Sequence, residues 1–158
     1  MSKRIKPIPD GYHSVTPYLI ISGGKASQAL DFYARAFGAK EVMRMPRPDG
    51  GIAHAELQVG DSRLMLADEA PKMNAYGPGH YGGSPITLHF YLPDVDATTK
   101  QAADAGARII RPLEDQFYGD RTAGLQDPFG HMWYLSTHVR DVSMEEMQER
   151  MKSMASAA

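Results

Sequence analysis

The stretch "QDPFGHMWYLSTH", residues 126–138, decides how this sequence is read. It sets two histidines, a tryptophan and a tyrosine just behind a turn, because Pro128 presets φ and Gly130 tolerates a positive φ. His131 and His138 invite comparison with a metal site. They stand seven residues apart, an odd number, so an unbroken strand puts them on opposite faces and roughly 23 Å from each other at about 3.3 Å per residue. A strand therefore cannot offer both to one ion. It offers Trp133 and Leu135 to a covering helix and Met132, Tyr134, Ser136 and His138 to the other side.

Working outward, the same kinds of element recur twice. "VTPYLIIS" (15–22) is strand-like, and "SQALDFYARAFGAKEV" carries Ala29, Leu30, Tyr33, Ala34 and Phe37 at helical spacing, with Ser27 as N-cap and Gly38 as C-cap. "KEVMRMP", "GIAHAELQVG" and "SRLMLADEA" read as three more strands. In the second half "SPITLHFYLPDV" is a strand, "DATTKQAADAGAR" a helix capped by Asp96, and "RIIRPLED", "GDRTAGLQ" and "HMWYLSTHV" three strands. Gly38-Ala39-Lys40 matches Gly106-Ala107-Arg108 at an offset of 68, and Thr16 matches Thr87 at 71, which argues for duplication. The expected architecture is α+β: two βαβββ modules, 13–70 and 85–140, joined by a Gly/Pro/Tyr-rich loop, 71–84, and followed by a helical tail, 141–158. The loop is a lid, an exchange segment or an ordinary connection. The tail opens with a Ser143/Glu146 capping box and carries Met144, Met147, Met151 and Met154 along one stripe, suited to docking or to packing on its own domain, before a frayed "ASAA" end.

Composition narrows the function. With 158 residues and 42% apolar content the chain can bury a core, and a net charge of -2 with basic residues scattered beyond the short "SKR" start predicts neither a nucleic-acid nor a membrane partner. The absence of cysteine removes disulfides and thiol chemistry and suits a reducing compartment, so a cytoplasmic location is expected. No apolar run approaches the roughly 20 residues of a membrane span.

Strand alternation collects the candidate site. His54, Glu56 and Gln58 share a face opposite Ala55, Leu57 and Val59, while Thr87, His89 and Tyr91 oppose Leu88 and Phe90. Thr16 and Tyr18 would form the matching side of the first strand. Two sheets with such faces could curl around a ligand cleft. On this reading Thr16, Tyr18, His54, Thr87, Tyr91 and Tyr134 bind a ligand, and Glu56 with His89 are the candidates for proton transfer. Glu56 would act as a base if burial raised its pKa; the alternative is an ion pair with Arg44 or Arg63. Arg121 could fork onto an anionic group beside Phe117 or Tyr118, or pair with Asp120 or another carboxylate.

The paired modules, "ALDFYARAFGAKEV", "LPDVDA" and above all "DPFGHMW" resemble the vicinal oxygen chelate superfamily, and "EDQFYGDRTAGLQDPFGHMWYLSTHV" is similar to its PhnB-like glyoxalase/bleomycin-resistance branch. The resemblance implies cupped mixed sheets and, in the family's enzymes, a divalent metal held by His and Glu on the first and last strands of the modules. Those positions fall here on Thr16, Thr87, Tyr134 and Leu64 or Met65, with Asp68 the nearest carboxylate. No cofactor is therefore expected, unless a divalent metal sits at a displaced set of His54, Glu56 and His89. Two functions follow from the resemblance: a small-molecule binder of the bleomycin-resistance type, which is preferred, or a glyoxalase-like lyase or isomerase using that displaced metal or Glu56 as general base. A homodimer is expected in either case, with modules exchanged through the 71–85 loop as one form of it.

Overall fold

The computed structural model describes residues 5–157. The "SKR" start, residues 2–4, and Ala158 of the "ASAA" end lie outside them, while Ala155 and Ser156 continue the last helix. The first module runs β1 (Tyr18–Ile21), α1 (Ala26–Phe37), β2 (Lys40–Pro46), β3 (Ile52–Val59) and β4 (Ser62–Asp68). The second runs β5 (Thr87–Tyr91), α2 (Val95–Ala105), β6 (Arg108–Asp115), β7 (Asp120–Gln126) and β8 (Met132–His138), and α3 (Met144–Ser156) closes the chain. The strand order is β1-β4-β3-β2 in one four-stranded sheet and β5-β8-β7-β6 in the other. Each sheet is mixed: the first strand pairs parallel with the last, and the remaining pairs are antiparallel. The α+β duplicated architecture expected from the sequence is the one observed.

β1 starts at Tyr18 rather than Val15, since Pro17 has no N–H to give to a ladder. Both helices begin under the end of their module's last strand. Asp68 Oδ1 accepts from Ala26 N at 2.9 Å, and 69 residues on, Thr137 Oγ1 accepts from Val95 N, also at 2.9 Å. The N-cap expectations change accordingly. Lys25, not Ser27, precedes α1, whose first N–H is satisfied across the module, and Asp94, not Asp96, caps α2 by accepting from Ala97 N. Ser143 caps α3 as expected. Gly38 and Gly106 end α1 and α2 at positive φ, 65° and 121°.

One apolar cluster serves both modules: Leu19, Leu57 and Leu66 from the first sheet, Leu125, Trp133 and Leu135 from the second, and Leu30, Phe32 and Tyr33 from α1 between them. Asp127 of the quoted stretch pins this seam. Its buried carboxylate accepts from Tyr33 Oη at 2.6 Å, Trp133 Nε1 at 3.0 Å, and the backbone N–H groups of Phe129 and His131 at 2.9 Å each. His131 spans the modules too, with Nε2 3.0 Å from the Ile20 carbonyl. Because both apolar faces line one core, both polar faces look away from it. The 71–84 loop folds into short 3-10 turns at Pro71–Met73 and Pro78–Tyr81, tied back by Gly77 N to Glu69 Oε1 at 2.9 Å. In α3, Met144, Met151 and Met154 are exposed and Met147 is half-buried, while Arg150 Nη1 donates to the Phe117 carbonyl at 3.1 Å.

Candidate functional site

Each polar face is organised by one row of residues in register across four strands. In the first sheet the row is Met43, Glu56, Met65 and Tyr18; in the second it is Arg111, Gly124, Tyr134 and His89. The rows correspond at offsets of 68 to 71, so they are the same place in the two copies of the module. Bulges at equivalent points, beside Val42 in β2 and Ile110 in β6, turn Met43 and Arg111 onto the polar faces.

On the first face the hydrogen bonds form a chain. Tyr18 Oη lies 2.7 Å from His54 Nδ1, His54 Nε2 lies 3.0 Å from Glu56 Oε1, and Tyr12 Oη donates to Glu56 Oε2. A carboxylate only accepts, so the His54 ring hydrogen lies on Nε2 and Nδ1 accepts from Tyr18. Glu56 is 5% exposed. Burial by itself would raise its pKa, but the hydrogen bonds from His54 and Tyr12, with the charge of Arg63, outweigh burial and hold the carboxyl below its ordinary range. This is opposite in sign to the shift a buried general base needs. Neither ion pair foreseen for Glu56 forms: Arg44 bonds Glu41, and Arg63 lies over the Tyr12 ring at 5.3 Å.

On the second face Gly124 is what lets its neighbours meet. A Cβ there would stand 2.8 Å from Tyr134 Cε1 and 3.0 Å from Arg111 Cβ. Without one, the Arg111 guanidinium settles over the Tyr134 ring at 5.6 Å, and a pocket of about 240 Å³ opens among His89, Arg111, Glu114, Tyr118, Thr122 and Tyr134. Arg111 has no carboxylate or hydrogen-bond partner among the described residues. His89 Nε2 is 2.8 Å from Ser136 Oγ and its ring stacks on Tyr91 at 4.7 Å. Tyr91 Oη donates at 2.7 Å to Asp120, which is 4% exposed and whose Oδ1 lies 2.7 Å from His138 Nδ1.

The structure thus gathers Tyr18, His54 and Glu56 on one face and His89, Tyr91 and Tyr134 on the other, with Thr87 exposed at the start of β5 and Thr16 half-buried ahead of β1. It does not bring Arg121 to them. Arg121 has the parity of Ala123 and Leu125, so it points to the helix side, where Asp96 takes Nε and Nη2 at 2.8 and 2.9 Å and Asp115 takes Nη1 at 3.1 Å. Tyr12, Arg63, Arg111, Asp120 and Ser136 belong to the faces, although alternation did not single them out for binding.

The family's metal-bearing positions do not fit a metal. Register selects Met65 over the buried Leu64, giving a thioether and the hydroxyls of Thr16, Thr87 and Tyr134, with neither imidazole nor carboxylate. Asp68 lies on the helix side and is spent on Ala26 N and Ile52 N. The displaced set does not assemble within the chain either: His54 touches Glu56, but His89 belongs to the other sheet, and no three His, Asp or Glu side chains stand close enough to share an ion among the described residues.

Comparison with known proteins places these observations. A family model described as the glyoxalase/bleomycin resistance protein/dioxygenase superfamily matches residues 16–135. An uncharacterized protein of Mycobacterium bovis is 42% identical over 143 residues, covering 89% of this chain and 93% of its own. TioX from Micromonospora sp. ML1 superposes with a TM-score of 0.62 at 27% identity, over 80% of this chain and 100% of that one. The PhnB protein from Bacillus cereus gives 0.59 at 18% identity, over 79% and 99%, a likeness of fold alone. No helix is long and apolar enough to cross a membrane among the described residues.

Proposed function

This chain belongs to the glyoxalase/bleomycin resistance protein/dioxygenase superfamily, and from that premise we propose that it is a small-molecule-binding protein that holds its ligand on the polar faces of its sheets without transforming it. The observation that carries this reading is the row His89, Tyr134, Gly124, Arg111, where a glycine makes room for a stacked Tyr and Arg beside an open pocket. Such a row supplies ring faces and hydrogen-bond donors, the means of holding a flat polar molecule. The lyase or isomerase reading needs Glu56 as base or a displaced metal. A carboxyl lowered in pKa and already accepting two hydrogen bonds is a weak base.

We take the working form to be a homodimer in the cytoplasm. Exposed Val42, Met43 and Met45 on β2 and Ile109 and Ile110 on β6 favour cover by a second copy, and the cysteine-free composition favours a reducing compartment. The test is a thermal-shift screen of aromatic and carbonyl-bearing molecules, repeated on Tyr134→Ala and Arg111→Gln, alongside metal analysis of protein purified without chelator. Hits that vanish in both variants are expected. Stoichiometric nickel, zinc or iron lost in a His54/Glu56/His89 triple alanine variant would sink the binding reading, and a monomer by sedimentation would sink the dimer.

A further inference from the structure

Glu56 raises a question that its place in the sheet does not answer. It sits on the polar face, where Met43 and Tyr18 of the same row are 37% and 47% exposed, yet it is 5% exposed itself. What covers it is neither helix nor sheet. Tyr12, on a segment without regular structure, lays its ring beneath the Arg63 guanidinium and gives its phenolic hydrogen to Glu56. Between residues 5 and 15 the only other hydrogen bond tying this segment to the rest of the described chain is His13 Nε2 to the Asp61 carbonyl, at 3.1 Å. Lys6 with Asp10, and Tyr12 N with the Pro9 carbonyl, bond within the segment.

We propose that the first-sheet face takes the hydroxyl of a phenolic ligand, and that Tyr12 is a built-in occupant which such a ligand displaces. Each part of the Tyr12 side chain meets a group suited to it. Glu56 accepts the hydroxyl hydrogen, His54 and Tyr18 hold that carboxylate in place, and the Arg63 cation covers the ring face. A tethered group competes at an effective concentration on the order of millimolar, so a free ligand must gain something Tyr12 lacks. The Arg63 Nε–H supplies it: this donor is buried and has no acceptor among the described residues, so a phenol bearing an acceptor substituent gains a bond there.

The proposal rests on the binding reading above but concerns the other sheet, so the two fail separately. The probe is para-cresol, the tyrosine side chain as a free molecule, compared by calorimetry with its methyl ether, 4-methylanisole, which has no hydroxyl hydrogen. Para-cresol should bind Tyr12→Ala at least tenfold more tightly than wild type, with Tyr12→Phe between them, because Phe keeps the ring and loses the bond. The ether should bind Tyr12→Ala at least tenfold more weakly than cresol, and adding Glu56→Met, which leaves no acceptor at that position, should erase that preference. Equal binding of cresol and ether to Tyr12→Ala, a preference that survives Glu56→Met, or no cresol binding to a folded Tyr12→Phe or Tyr12→Ala variant each overturns the proposal. Screen hits that depend on Tyr134 and Arg111 would meanwhile leave the second-sheet reading standing.

Discussion

The two modules share a scaffold and differ on the face it presents. Scaffold features repeat at a nearly constant offset: Asp68 over the start of α1 and Thr137 over the start of α2, Gly38 and Gly106 at the helix ends, and the bulges in β2 and β6. The face rows do not repeat. Met43, Glu56, Met65 and Tyr18 surround a covered carboxylate with flexible thioethers, whereas Arg111, Gly124, Tyr134 and His89 leave an uncovered cation beside aromatic rings. The duplicated backbone is held by caps, glycines and core packing that leave the row positions free, so each row could acquire its own chemistry.

The largest expected effect falls on the seam where the modules stop being equivalent. Asp127→Ala strands the buried Tyr33 hydroxyl and Trp133 indole N–H and unties two half-buried backbone donors of the turn, at a cost of roughly 3 to 5 kcal/mol. Thr137→Val, which removes the second module's copy of a repeated cap, should cost only about 1 kcal/mol. Urea unfolding followed through Trp133 measures both, and equal losses would mean that the seam is no stronger than a cap. Next comes Gly124→Ala, which pushes a methyl into Tyr134 and Arg111 and makes the second row resemble the closed first one. It should cost about 1 to 3 kcal/mol and abolish screen hits on that face. Retained ligand binding would show that the pocket does not depend on the row.

How far the sequence could be read follows the same division. Alternation placed Glu56 with His54, and His89 with Tyr91, correctly, because those strands are regular. Arg111 escaped because strict alternation from Ile109, which pairs with the buried Leu125, would turn it to the helix side as well, and only the bulge at Ile110 brings it to the open face. Of the two readings open for Arg121, the structure shows the pairing with another carboxylate: its parity with Ala123 and Leu125 turns it to the helix side, and only the packing of α2 on that side brings it the Asp96 carboxylate. The Tyr12 contact spans 44 residues from a segment with no periodicity, so no pattern could carry it. The DPFG turn signalled the fold for a reason that became visible only in three dimensions: its Asp127 accepts a hydrogen bond from Tyr33, 94 residues earlier.

Glu56→Gln sharpens the contrast between covered carboxylate and open cation, with a smaller effect. The folded carboxyl titrates below its ordinary value of 4.5, so its contribution is present above that pH and is lost as the pH falls through the folded pKa. Wild type should exceed the variant by about 1 kcal/mol at neutral pH, and the two curves should converge in acid. A constant gap down to the acid limit would mean that the carboxylate's charge plays no part.

The smallest effect belongs to a pair that the first module lacks. His138 reaches Asp120 through Nδ1 at 2.7 Å and Asp141 through Nε2 at 2.9 Å, so both ring nitrogens face carboxylates and the imidazolium is favoured. Its pKa rises above 6.5, through the hydrogen bonds to Asp120 and then Asp141, while that of Asp120 falls below 3.8, because the bonds from Tyr91 and His138 outweigh its burial. For His138 the stabilisation is complete below about pH 6.5 and disappears as the pH rises through the folded pKa; for Asp120 it is present above about 3.8 and disappears as the pH falls through its own. Wild type should therefore lose more stability between pH 6 and pH 9 than His138→Gln does, with the two urea midpoints meeting at the alkaline end. Because His138 is half exposed, salt should shrink the difference. Parallel losses across that range would mean that His138 only fills space, and that the second module differs from the first in its row alone.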